Sequence, residues 1–137
     1  MNPDELLQRI AQTLKQEIGP AIDAAYPKTQ AFMAAVVLEK LARQLELAPA
    51  HAARDKADID ALVADLKEIS TPVELPVAVQ VATESLRTHF DRTALNGLVE
   101  ALYTNRDALG QALFGRLLGR VRQTLRANID RQMQYAA

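Results

Sequence analysis

Apolar positions recur along this chain at three- and four-residue steps, which is the repeat of an amphipathic helix rather than a strand. Leu6, Leu7, Ile10, Leu14 and Ile18 form the stripe of a first helix. Asn2 stands where a cap is needed, Pro3 at the favoured first position, and Asp4 and Glu5 complement the dipole. Glu5, three residues after Asn2, has the spacing of a capping box. Gly19-Pro20 kinks or ends this helix, with a short continuation to about Ala25. After a turn at Tyr26-Pro27-Lys28-Thr29, a second helix runs from about Thr29 to Leu47. Phe32, Met33, Val36, Val37, Leu38, Leu41 and Leu45 make it apolar over more than half its circumference, which predicts the most buried element, with neighbours on several sides. Ala48-Pro49-Ala50 ends it. A third helix starts near Asp55 or Asp58, carries Ile59, Leu62, Val63, Leu66 and Ile69, and stops at Ser70-Thr71-Pro72.

The segment that follows has two readings. Val73, Leu75, Val77, Val79 and Val81 alternate with the period of a half-buried strand. Pro76 argues against a central strand, and a helix from about Val77, with Val79, Ala82, Leu86 and Phe90 on one side, is favoured. Asp91-Arg92-Thr93 breaks it before a further helix carrying Leu95, Leu98, Val99 and Leu102. From Asn105, as cap, to Met133 the pattern predicts one long helix of roughly 28 residues, about 42 Å. The expected architecture is all-α: a single domain over residues 1–137, an antiparallel bundle of five or six helices with a long C-terminal helix.

Composition supports the helices. The chain has 24 Ala and 19 Leu against nine Val, three Phe, three Tyr and no Trp, so strong helix formers dominate and strand formers are scarce. The absence of cysteine excludes disulfides, thiolate catalysis and Cys-ligated metals. The acidic start lacks the basic and apolar regions of a signal peptide. No run approaches the ~20 apolar residues of a membrane span. A cytoplasmic protein without membrane contact is expected.

Charge is unevenly spread around a net of −1: residues 1–78 hold eight basic and twelve acidic side chains, residues 105–137 six Arg and two Asp. The simplest expectation is that the basic C-terminal helix packs beside the acidic ones of the same molecule. No constellation names a reaction. His51 reads as a surface histidine. Ser85, His89 and Asp91 have the residue types of nucleophilic catalysis but lack a glycine-rich oxyanion hole. Asp55, Asp58, Asp60, Asp65 and Glu68 alternate with Lys56 and Lys67 and read as a solvated face rather than a metal site. No catalytic, cofactor-binding or metal-ligating residue is assigned, and no cofactor is implied. Arg116, Arg120, Arg122 and Arg126 are candidates for binding an anion. A specific nucleic-acid partner is not expected, because the sequence pI is about 6.1 and only Phe114 and Tyr135 flank the patch for stacking.

The C-terminal stripe of Leu109, Leu113, Leu117, Val121, Leu125, Ile129 and Met133 drifts about 40° per step, so one neighbouring helix cannot cover it all. That makes Leu117, Leu118, Val121, Leu125 and Ile129 candidates for contact with another chain, with Gly115 and Gly119 allowing close approach; a homodimer or a protein partner is expected.

Residues from about Leu6 to Leu66 resemble a family of small bacterial helical proteins of unassigned function. The likeness rests on Glu17-Ile18-Gly19-Pro20-Ala21-Ile22, on Phe32, and on Arg43-Gln44-Leu45-Glu46-Leu47-Ala48-Pro49-Ala50. Members are typically encoded beside aminoglycoside-phosphotransferase-like kinases and acyl-CoA dehydrogenases, so the resemblance implies an accessory role. The expected function is a non-catalytic interaction protein acting through helix–helix contacts. The alternative is a helical domain binding a small phosphate- or CoA-bearing ligand near the arginines.

Overall fold

Proline and glycine decide where the helices of this chain break, and not always where their local rules suggest. The computed structural model describes residues 1–134, so Tyr135 lies outside the described residues. Helix α1 spans Pro3–Thr13, passes into a π-helical turn at Leu14–Ile18 and closes at Gly19–Ala21. Helix α2 runs unbroken from Ala25–Ser70, α3 covers Val77–Thr88, and α4 covers Arg92–Thr104. A single turn at Arg106–Leu109 precedes α5, Gln111–Met133. Among the described residues every regular element is helical, and none is long and apolar enough to cross a membrane.

Several boundaries differ from the sequence expectation. The expected second and third helices are one, because Pro49 lies inside α2. A mid-helix proline costs ~3 kcal/mol. Here Ala48, Ala50, Ala52 and Ala53, the best helix formers, surround it. The C-terminal helix is shorter than expected: Gly110 takes φ 81°, a conformation that side-chain-bearing residues avoid, and splits it. Asn105 does not cap α5. Its side chain donates to the Ala101 carbonyl at 2.8 Å and closes α4 instead. Residues 73–76 are irregular and the helix begins at Val77, so the period-two run is not a strand. At the start of α1 the Asn2 amide donates to Glu5 Oε2 at 3.3 Å, and Asp91 caps α4 by accepting from the Ala94 amide at 2.7 Å.

Contacts gather into two compact units, residues 1–52 with the segment from Gln132, and residues 53–131. The second holds a conventional core. Ile59, Leu62, Val63 and Leu66 of α2 meet Val79 and Leu86 of α3, Leu95, Leu98 and Leu102 of α4, and Phe114, Leu117, Leu118 and Val121 of α5. The first is a hairpin. Lys15 Nζ donates to Glu39 Oε1 at 2.7 Å and Gly19 packs on the Phe32 ring, so residue numbers rise on one arm as they fall on the other. Ala11, Ala35 and Ala42 are fully buried between the arms.

The π-helical turn has a local cause. Pro20 has no N–H to donate and its ring would collide with the carbonyl four residues back in a regular α-helix. The chain widens by one residue instead, and the Gly19 amide reaches the Leu14 carbonyl five residues back.

Candidate functional site

Helix α5 carries the residues that the sequence offers for contact with another chain and for an anion, and packing sorts the first set into two groups. Leu117, Leu118 and Val121 are buried in the core of residues 53–131. They are therefore not surface for another chain, because α2 and α4 already cover that sector of the stripe. Gly115, Gly119 and Ile129 are exposed and Leu125 is half-buried. Among the described residues nothing lies within 4 Å of where a Cβ would sit on either glycine, so no described helix uses the close approach they permit.

The arginines divide too. Arg120 Nε donates to Asp65 Oδ2 at 2.6 Å and Arg120 Nη1 to the Thr124 hydroxyl at 2.8 Å. Arg122 Nη2 donates to the Tyr103 hydroxyl at 3.2 Å. Tyr103 in turn packs edge-on against Phe114, centroids 5.2 Å apart, and Arg106 lies over the other ring at 5.3 Å. Arg116 and Arg126 are exposed. An open groove of about 540 Å³ lines Arg122 and Arg126 with Leu125 and Ile129.

Arg131 is the residue that sequence reasoning passed over. It is 9% exposed; its Nε and Nη2 both reach Asp55 Oδ1, at 3.0 and 2.5 Å, and Nη2 reaches Asp58 Oδ2 at 2.5 Å. Asn128 Nδ2 adds a bond to Asp55 Oδ1 at 3.1 Å. Burial by itself lowers the Arg131 pKa, but the hydrogen bonds and charges of Asp55 and Asp58 outweigh it and hold it above its ordinary value. The acidic residues of α2 are thus not simply a solvated face: Asp55, Asp58 and Asp65 are the counter-charges of α5, as the uneven charge distribution implied. Among the described residues no group of three or more His, Asp or Glu converges as metal ligands.

His51 is buried, not on the surface, with Nε2 3.0 Å from Gln134 Oε1. Ser85 donates to the Val81 carbonyl at 3.1 Å, so its hydroxyl is spent on the backbone, while His89 is exposed at the end of α3.

The largest departure lies in the hairpin. The first half of α2, expected to be the most buried element, exposes Met33, Val36, Val37, Leu41 and Leu45, and α1 exposes Leu6, Ile10 and Ile18. Helical spacing orders them. On α1, Leu6 and Ile10 flank the inward line of Leu7, Ala11 and Leu14; on α2, Val37, Leu41 and Leu45 flank the inward line of Ala35, Leu38 and Ala42. With the arms antiparallel, both flanks fall on the same side of the hairpin. The result is a continuous apolar face on two helices. Comparison with protein-family models, curated proteins and solved structures finds no match for this chain.

Proposed function

We propose that the protein is a non-catalytic interaction protein that works through helix–helix contacts, and that it docks by the apolar face of its N-terminal hairpin. One observation carries this reading: Leu6, Ile10, Val37, Leu41 and Leu45 stand between 42% and 57% exposed, on the same side of two paired helices. Single exposed apolar side chains are ordinary on a protein surface, but contiguous ones mark a surface that another molecule covers. Covering a half-exposed side chain of this size recovers about 1 kcal/mol, so five together make a substantial driving force. This moves the docking surface from α5, where the sequence pattern put it, to the hairpin. An accessory role, as the family resemblance implies, fits a protein that presents apolar side chains on paired helices.

The chain has no native cysteine, so Val37→Cys offers one position for a polarity-sensitive dye. The emission is expected to shift to the blue as protein concentration rises or when cell extract is added. A dye that stays hydrated under all these conditions overturns the reading.

The groove along α5 favours a second reading, a small anionic ligand held by Arg122 and Arg126 over Leu125 and Ile129. Acyl-CoAs, nucleotides and sugar phosphates in a thermal-shift screen test it. Stabilisation lost in an Arg126→Ala variant supports it.

A further inference from the structure

We infer that the occupant of the hairpin face is a second copy of this chain, placed about a two-fold axis so that Leu6, Ile10, Val37, Leu41 and Leu45 of each copy meet the same surface of the other. The inference rests on the docking reading above and names its partner.

Three observations select a second copy. The first is exposure. Leu6, Ile10, Val37, Leu41 and Leu45 stand between 42% and 57% exposed, and a second copy brings the same five side chains to the contact, so covering the face on both copies recovers about 1 kcal/mol at each of them twice over. The second is charge. Residues 1–52 carry five basic and six acidic side chains, and Lys40, Arg43, Glu39 and Glu46 mix both signs along α2. Such a surface does not repel its own copy, and it lacks the single-signed field that would select a strongly acidic or basic partner. The third is geometry. Two antiparallel helices with apolar residues on one shared side form half of a four-helix bundle, and a two-fold axis supplies the other half with the same residues.

The test is the mass of the full chain in solution together with its response to one double substitution. Sedimentation equilibrium is expected to give about twice the 15.1 kDa chain mass at micromolar concentration. Val37→Asp with Leu41→Asp is expected to give a single-chain species of unchanged helicity, since both side chains are exposed within the chain. Leu125→Asp with Ile129→Asp is expected to leave the dimer intact. A spin label on Gln44→Cys, beside the stripe, adds a readout that does not depend on the double variant folding. It should show a defined dipolar distance between copies that vanishes on dilution. A single chain at 100 µM, with no dipolar distance, overturns the second-copy inference; a dye at position 37 that also stays hydrated in cell extract overturns the docking reading with it. A dimer that survives Val37→Asp with Leu41→Asp and dissociates with the α5 pair overturns both.

Discussion

At the scale of single residues, the glycines show how the same residue type serves opposite purposes. A Cβ on Gly19 would lie 2.8 Å from the Leu14 carbonyl oxygen and 2.9 Å from Phe32 Cζ. The first contact is backbone within the same arm and cannot swing away, so Gly19→Ala must distort the π-helical turn, and the second pushes the Phe32 ring of the other arm aside. It is expected to cost about 1–3 kcal/mol in denaturant unfolding. Gly115→Ala meets open space inside a helix and is expected to add about 0.5–1 kcal/mol in the same assay. Equal effects at both positions would contradict the close packing of Gly19 on Phe32. The importance of Gly19 was legible as a Gly-Pro interruption of an apolar stripe, but its partner was not. Phe32 is thirteen residues away, and no local pattern states which ring closes over which backbone.

At the scale of elements, helices were readable wherever both faces kept their character. Ile59, Leu62, Val63 and Leu66 appear in the core as their spacing predicts, as do Leu95, Leu98 and Leu102. Local breakers were less reliable. Pro49 does not end α2 whereas Gly110 does end a helix, because a lost hydrogen bond can be absorbed among alanines and a positive φ cannot. The pairing of α5 with α2 was legible only as a charge imbalance. Arg131 and Asp55 are 76 residues apart, and sequence gives the charges without the partners. This pairing has a measurable weight. Arg131→Met keeps the apolar stem but strands Asp55 and Asp58, whose side chains are 23% and 37% exposed. Breaking a fully buried pair costs 3–5 kcal/mol; with this partial hydration a loss of about 2–3 kcal/mol is expected. Arg131→Lys should fall between, because an ammonium cannot reach two carboxylates as a planar fork does. A loss below about 0.5 kcal/mol for the methionine variant, the range of a surface pair, would show that the cluster does not hold α5 to α2.

At the scale of the molecule, the two units differ in what stabilises them. Residues 53–131 bury fourteen apolar side chains in one cluster. The hairpin fully buries three alanines and leaves Leu6, Ile10, Val37, Leu41 and Leu45 about half in water. Sequence reported how apolar α2 is but not which of its side chains the rest of the chain covers, since periodicity does not state how many neighbours a helix has. If a second copy covers that apolar face, the stability of the hairpin depends on protein concentration. A species that binds its own copy only when folded is stabilised by mass action, and the unfolded hairpin has no comparable affinity. Amides of residues 6–18 and 33–47 should therefore exchange with solvent more slowly as concentration rises from 1 to 100 µM. Those of residues 95–102 and 114–121, protected by an intramolecular core, should exchange at a constant rate. Val37→Asp with Leu41→Asp should abolish the dependence in the first group and leave the second untouched. Hairpin amides as slow at 1 µM as at 100 µM would mean that the hairpin is stable alone, and that its apolar face is not held in place by a second chain.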